Sequence, residues 1–129
     1  MLLTTENLLP LVLSYSLPPE KAAALARLCE AEGVLHFCIP PRHYLLPISS
    51  LPVADGGPAD ASPLDPPALP EEMLLFKGFP DKALVRFLRA FREAGLEKIE
   101  LKASLTPHNA AWDSLRLYTE LCQERDALR

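Results

Sequence analysis

The sequence predicts an α/β fold in which two tandem β-α-β units build one four-stranded sheet, with a long helix at the C-terminus. The expected strand order is 2-1-3-4, mainly parallel, with helices on both faces. Three observations lead there. A shift of 62 positions lays residues 11–51 on 73–113, so that Pro18 falls on Pro80, Leu25 on Phe87, Gly33 on Gly95 and Ile39 on Leu101. Each copy reads apolar run, Pro, amphipathic stretch, Gly, apolar run, which is the grammar of strand, helix and strand. Two of the four apolar runs are continuous and two are not, which separates buried strands from edges.

The first copy, LVLSYSLPPEKAAALARLCEAEGVLHFCI, opens on Leu11–Val12–Leu13, a run expected of a strand covered on both faces. Pro18 stands just before, and Pro19 at, the start of a helix over 19–32, where a missing N–H costs nothing. Ala22, Leu25, Ala26 and Cys29 form its buried stripe, and Gly33 suits the left-handed residue that ends a helix. The run Val34–Ile39 is apolar except for His36 and stops at Pro40–Pro41, so it is placed at one edge. In the second copy Met73–Phe76 is a second central strand. Residues 81–94 place Leu84, Phe87, Leu88 and Phe91 on one side of a helix and Lys82, Arg86, Arg89 and Glu93 on the other. Ile99, Leu101, Ala103 and Leu105 then alternate with polar residues, the period-two pattern of a half-wet edge strand. The final helix is expected to start with Thr106 as N-cap and Pro107 in the first turn, and to run to about Asp126. Its packing face would be Ala111, Leu115, Tyr118 and Cys122, widened by Trp112 and Leu121.

Right-handed crossovers leave two topologies with the first and third strands in the middle. The all-parallel form of order 2-1-3-4 puts the two crossover helices on opposite faces and makes three layers. The alternative is a ferredoxin-like α+β sandwich, order 4-1-3-2, with both helices on one face and the C-terminal helix or a second subunit on the other. The doubly buried central strands favour the first.

A single domain over 1–129 is expected, with a first unit at 9–51 and a second unit plus helix at 71–129. Between them residues 52–70 hold six prolines, two glycines and three aspartates without helical or strand periodicity, and read as a linker with no site of its own. Thirteen Lys plus Arg against seventeen Asp plus Glu give a formal charge of −4, and no basic tract stands out, so nucleic acid and anionic membranes are not expected partners. MLLTTENLLPLVLSY lacks a basic leader and is broken by Glu6 and Pro10, and no apolar stretch approaches a membrane span. Cys29, Cys38 and Cys122 are odd in number and sit in apolar surroundings, as reduced buried thiols do; a cytoplasmic protein is expected.

The sequence carries little recognisable chemistry. The stretch KASLTPHNAAW, where the last strand hands over to the last helix, offers an anion cradle: first-turn amides at His108 and Asn109, the Thr106 hydroxyl, the Asn109 amide and the charge of Lys102 or His108. Arg42 and His43, followed by Tyr44, form a polar corner at the end of the second strand, a usual ligand location in open α/β sheets, against the favoured plainer reading of a loop held by Tyr44 packing. His36, His43 and His108 lack metal spacing, so no metal is expected. Cys38 beside His36 suggests a nucleophile and base, against the plainer reading of a buried thiol. Phosphate-loop, nucleophile-elbow and zinc motifs are absent from the sequence, and no cofactor is implied.

Several pieces of the second half go together: Glu72–Met73–Leu74–Leu75–Phe76, Gly78–Phe79, Lys102–Ala103, Leu105–Thr106–Pro107, Asn109, Trp112 and the closing Leu–Tyr–x–Glu–Leu. Over residues 71–124 this pattern resembles a small bacterial domain family of unknown function. The resemblance implies no activity, cofactor or site residue.

Two classes of function follow. The favoured one is a non-catalytic binding or regulatory module that meets a protein partner or a second copy of itself, through the Arg86 and Arg89 helix face or the last strand with Glu100 and Lys102 outward. The other is an anion or phosphate sensor, or a small enzyme, at the strand carboxyl ends. There Ser14, Tyr15, Arg42, His43, Lys77, Lys102 and Thr106 would converge if the sheet were parallel.

Overall fold

The computed structural model describes residues 9–53 and 64–128. Its elements follow the expected order: β1 (Leu11–Tyr15), α1 (Pro19–Glu32), β2 (Leu35–Cys38), β3 (Met73–Lys77), α2 (Asp81–Glu93), β4 (Leu101–Ser104) and α3 (Ser114–Ala127). Short 3-10 turns occupy Pro41–His43 and Ile48–Ser50. Gly33 and Gly95 close α1 and α2 at φ 72° and 79°, the left-handed conformation that the sequence anticipates there.

The sheet has the order β2-β1-β3-β4. Its outer pairs are parallel, Leu11 opposite Leu35 and Met73 opposite Leu101, but the central pair is antiparallel, with Leu13 opposite Leu75. Leu75 is also where the 62-residue shift places Leu13, so the two units meet about a local two-fold axis perpendicular to the sheet. That direction changes the layering. Two crossovers of one hand in units related by such an axis must lie on the same face, whereas the all-parallel form separates them. Accordingly α1 and α2 share one core, built from Val12, Leu25, Cys29, Leu74, Phe87 and Phe91. Their expected placement on opposite faces is corrected. The other face is covered by α3 and the chain after β2, around Leu13, Tyr15, Tyr44, Ile48, Leu75 and Leu117. Three layers result, with helices on both faces, and β1 and β3 are almost wholly buried. The ferredoxin-like order does not occur, although its placement of both crossover helices on one face does.

The second register expectation also shifts. Val34 alone separates Gly33 from β2, whereas Leu96–Glu100 separate Gly95 from β4, so the second unit carries four more residues here. The sheet therefore aligns Leu35, not Ile39, with Leu101. Within this longer connection Ile99 is buried on the α2 face, against the alternation that groups it with Leu101 and Ala103 on the α3 face.

The last helix starts later than its Thr-Pro signal suggests. Residues 105–112 form turns, and Asp113 is the N-cap, its carboxylate accepting the Arg116 N–H at 2.8 Å. The packing stripe moves with the start: Leu117 is fully buried, Leu115, Tyr118, Leu121 and Cys122 pack beside it, and Ala111 is exposed. The far end of α3 is tied down by Arg125, which donates to both oxygens of Glu71 at 2.6 and 3.1 Å. Most of the expected linker, 54–63, lies outside the described residues. Its last part is core: Leu69 is buried, and its carbonyl accepts the Ser16 hydroxyl at 2.8 Å.

Candidate functional site

The turn after β4 is held by its own hydrogen bonds. The Thr106 N–H donates to Asn109 Oδ1 at 2.9 Å, the Asn109 N–H returns to Thr106 Oγ1 at 3.3 Å, and Asn109 Nδ2 donates to the Ser104 carbonyl at 3.0 Å. Asn109 is buried, and its amide is spent on closing a turn rather than left for an anion. His108 packs edge-on against Trp112, and the Arg116 guanidinium lies 4.5 Å from that ring's centre. Lys102 is directed elsewhere, toward α2, with Nζ donating to the Ile99 carbonyl at 2.7 Å.

At the end of β2, Arg42 and His43 fall in the 3-10 turn that delivers Tyr44 to the core. The Tyr44 carbonyl accepts the Ser114 N–H at 2.9 Å, and its ring lies 5.7 Å from that of Tyr15. Tyr15 in turn shares a 2.7 Å hydrogen bond with Ser114 Oγ inside the core, and burial pushes its pKa up to about 12. Lys77 ends β3 and donates to the carbonyls of Ile48, Ser49 and Leu51. Burial lowers its pKa. Because β1 and β3 run oppositely, Tyr15, Arg42 and His43 stand at one end of the sheet and Lys77 and Thr106 at the other. The structure does not bring the expected carboxyl-end cluster together.

Of the residues expected at an interface, Arg86 and Arg89 are exposed on α2, with Arg86 Nε 3.7 Å from Glu32 Oε1, and Glu100 is exposed just before β4. The open edge that the sequence underrates is β2. Leu35 and Phe37 are 41% and 39% exposed although they alternate onto the α3 face beside Leu13. The opposite face of the strand carries a polar contact. Ser14 Oγ lies 2.8 Å from His36 Nε2 and 3.5 Å from Cys38 Sγ, with His36 titrating lower because it is desolvated. Cys38 is exposed, Cys122 partly buried, and only Cys29 is the buried thiol expected of all three. Among the described residues no group of three or more His, Cys, Asp or Glu could hold a metal ion, and no helix is long and apolar enough to cross a membrane.

Two clefts of about 360 Å³ each occupy equivalent places between helix and outer strand on the α1–α2 face. In the first unit Ala26, Cys29, Glu30 and His36 line it. In the second, Leu88, Phe91 and Arg92 replace the first three under the 62-residue shift, and Lys102 replaces His36 in the sheet register. The longer connection adds Lys98 and Ile99 to the wall.

The comparisons with known proteins meet this geometry in the second unit. Residues 72–128 match DUF3783, a domain of unknown function. No curated protein and no solved structure matches the chain. The DUF3783 stretch covers β3, α2, β4 and α3, and therefore the whole of the second cleft; β1, α1 and β2 lie outside it.

Proposed function

We propose that this protein is a non-catalytic binding module that acts through self-association, a second copy pairing with it along the outer edge of β2. One observation carries the reading: two large apolar side chains, Leu35 and Phe37, are about two-fifths exposed on a strand that lies at the end of the sheet and contains no charged residue. Edge strands are ordinarily shielded by charge, Pro or a cover. The β4 edge has that protection, with Lys102 in the strand and Lys98 and Glu100 just before it. In β2 only Pro40 and Pro41, beyond the strand, limit its length. An antiparallel pair centred on His36 sets Leu35 of each copy opposite Phe37 of the other, as an isologous interface requires. The residues that a parallel sheet would have gathered for a sensor or small enzyme are divided between two ends of the sheet, which supports the non-catalytic side of the reading.

Light scattering after size exclusion tests it. At tens of micromolar the expected mass is twice 14.2 kDa, and Phe37→Lys returns it to 14.2 kDa while far-UV circular dichroism stays that of the folded chain; the melting temperature of wild type rises with concentration and that of the variant does not. A wild-type mass of 14.2 kDa at that concentration refutes the proposal.

A further inference from the structure

We propose that the cleft of the second unit is a binding site for an amphipathic monoanion, a carboxylate carried on a short aliphatic or aryl body. The inference is independent of the self-association reading. The floor is apolar, formed by Leu88, Phe91 and Ile99, and the rim carries Arg92, Lys98 and Lys102. Among the described residues none of these three cations is within ion-pair distance of a carboxylate. Lys102 commits one N–H to the Ile99 carbonyl, which fixes its position and leaves two donors for a ligand. Burial first, then the charges of Lys98 and Arg92, make its ammonium less favourable than usual, with Glu100 opposing. An incoming carboxylate relieves that repulsion.

The comparison within the chain shows that the fold does not require this lining. The equivalent cleft of the first unit has the same volume, yet Glu30 stands where Arg92 does and His36 where Lys102 does. In a chain of net charge −4, three cations gathered around one apolar hollow meet a specific need rather than a general one. Two of the six wall and rim residues just described, Lys98 and Ile99, lie in the longer connection that gives the second unit its four extra residues. The volume lies at the small end of ligand pockets, ~300–1,000 Å³. That suits a body of a few carbons and excludes a nucleotide or a long lipid.

Calorimetric titration of the whole chain with octanoate, 1-octanol and acetate tests head and body separately. Saturable octanoate binding is expected, about tenfold or more tighter than either octanol or acetate, and weakened at about 1 M salt, where the Debye length falls to ~3 Å. Lys98→Glu and Arg92→Glu change exposed side chains, and each is expected to weaken octanoate about tenfold. Glu30→Lys in the other cleft should leave it unchanged. Amide cross-peaks of residues 88–102 should move on titration while those of 26–36 stay still. Octanoate no tighter than octanol, inorganic phosphate as tight as octanoate, or indifference to both reversals overturns the proposal.

Discussion

Replacing Tyr15 by Phe should reveal how strongly the first unit is joined to the C-terminal helix. The Tyr15 hydroxyl and Ser114 Oγ are 2.7 Å apart, both residues are fully buried, and among the described residues no other side chain hydrogen-bonds to either oxygen. Tyr15→Phe strands the Ser114 hydroxyl and Ser114→Ala strands the Tyr15 hydroxyl, each at about 1–3 kcal/mol for an unsatisfied buried group. The double variant strands neither and gives up only the net value of one hydrogen bond, about 0.5–1.5 kcal/mol. The two single costs should therefore exceed the double cost by about 1 kcal/mol or more. With an unfolding entropy near 2.1 cal/mol/K per residue, 129 residues convert each kcal/mol into about 4 °C of melting temperature. Urea and thermal unfolding of the four proteins measure the cycle. Costs that add within about 0.5 kcal/mol would mean that the hydroxyls do not depend on each other, and the reasoning fails.

Two further outcomes follow from burial. Leu117→Ala should cost about 2–5 kcal/mol, the range for emptying a fully buried leucine site, while Ala111→Ser at its exposed position stays within about 0.5 kcal/mol; equal urea midpoints for the two would contradict the observed register of α3. Burial also pushes the Cys29 thiol up to about 12 from an ordinary 9.0, so above pH 9 the unfolded chain has lost a proton that the native state keeps. Stability from this group is whole below about pH 9 and declines as pH rises toward 12. The advantage of wild type over Cys29→Ala in urea should shrink between about pH 8 and pH 11, and a constant difference would show that the thiol does not titrate this way.

The strand order and both crossover helices were legible because they rest on local patterns: continuous apolar runs at Leu11–Leu13 and Met73–Phe76, a 3.6-residue stripe from Leu84 to Phe91, and Gly33 and Gly95 at the helix ends. The direction of β3 against β1 was not. Both strands are buried on both faces, and a doubly covered strand shows the same run of residues whichever way its neighbour points. The late start of α3 was hidden by two competing N-caps, Thr106 before Pro107 and Asp113 before Ser114. The turn won at the first because Asn109 hydrogen-bonds back to Ser104 and Thr106. The openness of β2 was hidden too. Val34–Ile39 reads as apolar apart from His36, and nothing in it tells that α3 lies over β4 and leaves Leu35 and Phe37 partly uncovered. As for the site, Lys102 was visible as a candidate, but its partners were sought forward at Thr106 and Asn109. The neighbours it meets, Arg92 and Lys98, lie behind it in the chain and are brought to it by the fold of α2 on the sheet.

The extent of the family match bears on how the two units depend on each other. Residues 72–128 hold one β-α-β unit and α3, but their central strand β3 has β4 on one side only. Met73, Leu74, Leu75 and Phe76 are buried on both faces and along their other edge by β1, whose Val12 and Leu13 continue the two cores that α2 and α3 begin. Taken alone, that stretch would present to water the bare edge of a strand that is apolar from Met73 to Phe76, an arrangement prone to pairing with another chain. A unit of about 60 residues also buries a smaller fraction of its surface than a full domain does. The β1-α1-β2 unit removes the bare edge and transfers openness to β2, whose edge is shorter and ends at Pro40. The antiparallel join at Leu13 and Leu75 makes this transfer possible, since each unit gives its most apolar strand to the centre and keeps its more polar one outside. On the proposed reading, the first unit thereby supplies the open edge for a second copy, while the second unit carries the cationic cleft.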